Sequence, residues 1–165
     1  MTDPQTTAEA MEAAALPRCA ELRADGRDHA VPIPDAVRRA APQKSAAEWA
    51  YQRIIFYLKA FEEGLDDDSE IAMAFSGGPA GVLRIAGVGF HAPDLVTFTG
   101  TDEAGRRMQQ VVHVSQLNVI LRALPRPDDR PEPERIGFRL ARALEEAEAE
   151  ATRDATDGPA PTEPA

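Results

Sequence analysis

Apolar positions change rhythm along the chain. From Ala47 the residues Ala47, Tyr51, Ile54, Leu58, Phe61 and Leu65 recur at alternating intervals of four and three, and Ile55 widens the stripe. That spacing predicts an amphipathic helix over about Ser45 to Glu63. Ser45-Ala-Ala-Glu48 has the form of a capping box, in which the serine oxygen accepts from an early helix amide and the glutamate reaches back to the serine amide. Gly64 is placed to supply a left-handed stop. Trp49, Phe56 and Tyr57 fall partly off the stripe, so the helix carries more apolar surface than one contact face needs. These three are the candidate partner-binding residues, for another subunit or a different protein.

After the acidic run Asp66 to Glu70 the period becomes two. Ile71, Met73 and Phe75 alternate with alanines in a short strand, and the glycine-rich Ser76 to Gly81 reads as a turn. Val82 to Phe90 predicts a second strand, with Gly87 and Gly89 inviting a bulge or sharp bend. His91-Ala-Pro-Asp94 turns the chain into Leu95 to Gly100. Thr101 to Gly105 turns it again into Arg106 to Val114. Ser115 to Leu124 fits two patterns. Leu117, Ile120, Leu121 and Leu124 share a helical face, whereas Leu117, Val119, Leu121 and Ala123 share a strand face; a short turn at Ser115-Gln116 and then a strand is the preferred version. Pro125 to Pro133 contains four prolines and reads as a spacer. Glu134 to about Thr152 predicts an amphipathic helix whose late glutamates oppose the helix dipole, so that its last turns fray. The expected fold class is therefore α+β: an N-terminal amphipathic helix packed on a small antiparallel sheet or barrel of four to five strands, with disordered or helical flanking arms.

Composition sharpens the boundaries. Of 165 residues, the stretch 45–125 holds eight of the nine aromatics but three of the 14 prolines, which marks it as the globular domain. Residues 1–44 read as a mobile tail, with a conceivable short helix from Thr7 to Ala15 and a docking segment around Val31 to Val37 as an alternative. Residues 126–165 read as the proline spacer, the helix at about 134–152 and a disordered acidic tail. A net charge of −10 argues against non-specific binding to nucleic acid or anionic lipid, so neither DNA nor a membrane is an expected partner. The single cysteine, Cys19, has no intramolecular partner. Asp3, Glu9 and Glu12 stand where an export signal carries positive charge, and no apolar run reaches spanning length, so a soluble cytoplasmic protein is expected.

Candidate chemistry gathers on the strands. Their outward face carries Arg84, Thr97, Thr99, Arg107, Gln109 and His113, donors of the kind that meet phosphates or base edges. No stacking aromatic joins them, and an ordinary wet sheet face is the commoner reason for such residues. His91, Asp94 and His113 are the one histidine and carboxylate set that strand pairing brings within range of acid–base work. No metal-ligand spacing is present and no cofactor is implied. The loop Gly77 to Gly81 lacks the lysine and hydroxyl of a nucleotide-binding loop, and Asp66 to Glu70 lacks calcium-loop spacing.

The block Phe75-Ser-Gly-Gly-Pro-Ala-Gly-Val-Leu-Arg-Ile-Ala-Gly-Val-Gly-Phe90, with Asp94-Leu-Val-Thr-Phe-Thr-Gly100 and His113-Val-Ser-Gln-Leu-Asn118, resembles an uncharacterised bacterial family defined only as a domain of unknown function. The likeness covers roughly residues 45–125 and implies no reaction. The order of one helix, a bent glycine-containing strand, short turns and a last short strand is similar to the Sm-like small barrels of bacterial RNA chaperones. In that family a histidine in a Tyr-Lys-His-Ala segment helps bind uridine-rich RNA. His113 lies at a comparable place, although Val112 stands where the lysine belongs. The expected function is a non-enzymatic interaction module that binds a protein partner or self-associates. A Sm-like RNA binder using Arg107, Gln109 and His113 is the first alternative, and a small enzyme centred on His91, Asp94 and His113 the second.

Overall fold

In a computed structural model the chain is described over residues 44–75 and 81–156, together with the isolated residue 24. The expectations for Cys19, the Val31 to Val37 segment, the glycine-rich residues 76–80 and both outer tails lie outside these residues. The order is α1 (Ala46–Glu63), β1 (Ser69–Phe75), β2 (Val82–His91), β3 (Leu95–Thr101), β4 (Arg107–His113), a 3-10 turn (Val114–Gln116), β5 (Val119–Pro125) and α2 (Ile136–Thr156).

Helix α1 starts as its sequence dictates. Ser45 is extended, and its side chain accepts the Glu48 amide at 3.2 Å. The stop differs from expectation, because Gly64 has φ −91° and ψ −2°, in the right-handed region. The last turn tightens instead: the Gly64 amide donates to the Phe61 carbonyl at 3.2 Å and the Leu65 amide to the Glu62 carbonyl at 3.0 Å, and these shorter-range bonds end the helix without a left-handed residue.

The five strands form one open antiparallel sheet in the order β4-β3-β2-β1-β5. β1 pairs with β5 along its whole length but with β2 only at Met73↔Leu83 and Ala74↔Val82. β2 then turns to β3, and the register slips between Ile85 and Gly87. The bulge that the glycines invite is therefore what lets β2 serve both halves of the sheet. The uncertain stretch after His113 resolves as a 3-10 turn followed by a strand. Leu121 and Val119 face the core from β5, and Leu117 packs beside them. Period-two alternation wins over the helical face because β1 offers β5 a full ladder from Ser69↔Pro125 to Phe75↔Val119.

The core lies between α1 and the sheet. Ala47, Ile54 and Leu58 meet Ile71, Met73, Leu83, Ile85, Val96 and Phe98, and Ile136 of α2 joins the same cluster. Tyr51 tilts against Phe90 at 5.0 Å between ring centres, and Phe75 against Phe98 at 5.2 Å. The core thus extends beyond the stretch 45–125 expected to hold it. α2 also runs to Thr156, past the expected fraying point, and Arg153 in its last turn complements the dipole.

One side of α1 is met by α2, a segment of the same chain. Gln52 donates to Glu148 at 2.8 Å, and the Phe138 amide donates to Glu62 Oε2 at 3.0 Å. Phe56 is 1% exposed, so it is no surface for a partner, and its place among the partner-binding candidates is corrected. Tyr57 stays exposed, and Trp49 is half-buried with the Arg53 guanidinium 4.9 Å above its ring.

Glu62 takes over capping for α2, receiving the amides that a local cap would otherwise satisfy. Burial holds its carboxyl above the usual range, while bonds from the Gly137, Phe138 and Ile136 amides and the charge of Arg135 pull it down. The folded chain binds this proton more tightly than the unfolded one. Stability therefore falls as pH rises from the ordinary value of 4.5 through the folded-state value. Urea unfolding across that window is expected to show a shallower fall for Glu62→Gln than for the parent; equal slopes would assign the dependence to other groups.

Candidate functional site

Strand register decides which of the sequence-derived residues meet. Across β4, β3 and β2 the rows are His113–Leu95–His91, Val111–Thr97–Gly89 and Gln109–Thr99–Gly87, with Arg107–Thr101–Arg84 beyond the register slip. Thr97, Thr99, Arg107, Gln109 and His113 thus share one outward face, as the alternation requires. The two glycines shape it. A Cβ on Gly87 would stand 2.9 Å from Thr99 Oγ1, and one on Gly89 2.8 Å from Thr97 Oγ1, so both hydroxyls lie over bare backbone. Thr99 Oγ1 donates to the Gly87 carbonyl at 3.4 Å. At the Arg107 end the face sinks into a depression of about 610 Å³ lined by Thr99, Thr101, Arg107 and Gln109.

Arg84 shares this face, paired with Thr101 in the row that ends at Arg107, but it is already engaged. Its guanidinium is turned to Glu70 Oε2 at 3.3 Å and to the Pro125 carbonyl at 3.3 Å. The cause is electrostatic: Glu70 is 4% exposed and also accepts from Arg130 at 3.3 Å and from the Glu134 amide at 2.9 Å. A buried carboxylate needs such partners, because losing one leaves an uncompensated charge. Sequence reading passed over this cluster, since Glu70 counted as part of a solvated acidic run. The only available signal was its position at the head of an apolar alternation.

The histidine and carboxylate set converges in part. His113 Nε2 lies 3.1 Å from Asp94 Oδ2, held there by the Leu95↔His113 pairing and by the Val114 amide donating to the Asp94 carbonyl at 2.8 Å. His91 stands on the far side of Leu95, two strand spacings from His113, or about 10 Å. It makes no hydrogen bond through its side chain among the described residues. Ser115, whose pattern fits a turn or a helix cap, takes its place: Ser115 Oγ is 2.7 Å from His113 Nδ1, and the Ser115 amide donates to the same nitrogen at 3.1 Å. Nδ1 is thereby the unprotonated acceptor, and Nε2–H donates to Asp94. The signal was a serine two residues after a strand-ending histidine, where a 3-10 turn brings its hydroxyl back over the ring.

Elsewhere the described residues contain no group of three or more histidine, cysteine, aspartate or glutamate side chains able to hold a metal ion. None of their helices is long and apolar enough to cross a membrane. Comparison with protein-family models, with curated proteins and with solved structures returned no match.

Proposed function

We propose that the chain is a non-enzymatic cytoplasmic interaction module that assembles with copies of itself through β4 and β5, the two edges of its sheet among the described residues. The observation that carries this reading is the state of the core-facing residues on the edge strands. Met108 and Val112 on β4 and Val119 and Leu121 on β5 point into the core but are only half-buried, whereas Val96, Phe98 and Met73 on interior strands are fully buried. A neighbouring strand on either side would complete their burial. The edges match in length, seven residues each, and each carries one arginine, Arg107 or Arg122, as its sole fixed charge. Edges with so little charge are open to pairing. Joining β4 of one copy to β5 of the next is a head-to-tail contact, which yields a ring if the rotation closes.

Sedimentation of the full chain is expected to show an oligomer. Val111→Lys on β4 and Ile120→Lys on β5, at side chains 55% and 45% exposed and therefore tolerant of charge, are each expected to shift it to monomer. A parent chain that is monomeric at every concentration overturns the reading.

A second reading, binding of single-stranded RNA through Arg107, Gln109 and His113, draws on the hydroxyl-floored depression beside Arg107 and on the pattern likeness to Sm-like barrels. The charge of −10 weighs against it. Oligonucleotide binding that weakens as salt rises would distinguish it in the same preparations.

A further inference from the structure

We propose that Ser115 is an activated, acyl-accepting serine, a covalent modification site for small activated acyl donors such as thioesters, acyl phosphates or aryl esters. This goes beyond self-assembly and is independent of it. The argument is the ordered chain of contacts from Ser115 Oγ through His113 Nδ1 and Nε2 to Asp94 Oδ2, at 2.7 and 3.1 Å. A hydroxyl becomes nucleophilic when a base lies within hydrogen-bond reach and a third group orients that base. Both conditions are met, and the contacts at the two ring nitrogens fix the tautomer. The Ser115 hydroxyl and amide share the one lone pair of Nδ1, at 2.7 and 3.1 Å, which leaves the ring proton on Nε2 facing the carboxylate.

Position on the chain makes the arrangement rigid. His113 ends β4 and pairs with Leu95, and Asp94 precedes Leu95 and receives the Val114 amide. The same turn is tied to α1, since the Ala47 amide donates to the Pro93 carbonyl at 3.1 Å. Ser115 is exposed, so a reagent reaches its oxygen. In the step itself, the bond from Oγ to the acyl carbon forms as the bond from that carbon to its thiolate, phosphate or phenolate leaving group breaks. The hydroxyl proton passes to Nδ1, displacing the Ser115 amide from its lone pair, and then to the leaving group, while Asp94 balances the transient imidazolium. The outer-face depression lies at the opposite end of β3 and β4, around Thr101 and Arg107, and does not enclose Ser115. The expected product is accordingly an acyl-serine formed once, a modification in place of sustained turnover.

The full chain is treated with p-nitrophenyl acetate, and separately with acetyl phosphate, and followed by intact-mass and peptide mass spectrometry. One acetyl group mapped to Ser115 is expected. Ser115→Ala should abolish it and Ser115→Cys should keep it, while Asp94→Asn should slow acetylation by about 100-fold, the scale of a lost acid–base partner. Thermal unfolding of each variant separates reactivity from folding, since a merely structural cap would alter the midpoint and leave the adduct pattern unchanged. Acetyl groups distributed over Lys44 and Lys59 or resting on His113, no adduct at all, or an Asp94→Asn rate equal to the parent's would each overturn the assignment.

Discussion

Replacing Gly100 by alanine is expected to destabilise the domain by about 3 kcal/mol or more, read as a lower midpoint in urea unfolding. A Cβ at this position would lie 1.9 Å from the Arg84 carbonyl oxygen and 2.9 Å from its carbon. Both are backbone atoms of β2 immediately before the register slip, so no rotamer change relieves the clash. The strands themselves must part, and with them Phe98 and Leu83, which are buried on either side of the junction. Gly89→Ala provides the contrast. Its obstacle is Thr97 Oγ1 at 2.8 Å, the end of a side chain that can rotate, and a loss nearer 1 kcal/mol is expected. Equal losses at the two positions would mean that close backbone packing at the bulge does not hold the sheet together.

Gly137→Ala tests the docking of α2 through its sign. In a helix free in solution, alanine in place of glycine adds up to about 1 kcal/mol of helix stability. Here a Cβ would stand 2.6 Å from Leu58 C and from Lys59 N, and 2.8 Å from Glu62 Oε2. The first turn of α2 would have to lift from α1, drawing the Phe138 amide away from Glu62 and loosening Ile136 in the core. A loss of about 2–3 kcal/mol is expected, with fluorescence of Trp49 and far-ultraviolet circular dichroism reporting together. A gain in helix content without loss of tertiary signal would show that α2 is an independent arm.

How much of this is legible in the sequence depends on whether the physical cause is local. The serine cap of α1 and the stripe from Ala47 to Leu65 are read directly, because capping and helical period involve residues a turn apart. The strand alternation in β3 and β4 is equally plain, and it placed Thr97, Thr99, Arg107, Gln109 and His113 on one face. The burial of Phe56 and the engagement of Arg84 were hidden for the opposite reason. Whether a phenylalanine off the main stripe is exposed, or an arginine on an outward face is free, depends on segments distant in sequence. For Arg84 the deciding groups are Glu70 and the Pro125 carbonyl. Gly64 shows a smaller version of the same effect, since two glycine-compatible helix endings compete and the tighter one occurs.

The site follows the same division. Asp94 and His113 were read as partners because a turn and a strand end are easily brought together by antiparallel pairing. His91 was included because composition does not reveal that Leu95 stands between the two histidines.

Side-chain rhythm along the chain determined the helices, the strands, the face each residue presents and the α+β class, because these depend on backbone geometry that repeats every two or 3.6 residues. Tertiary structure alone decided that the sheet stays open with β4 and β5 at its edges, that α2 closes over α1, and that Ser115 joins His113 and Asp94. Those outcomes turn on contacts between segments far apart in sequence, whose distances no local period encodes.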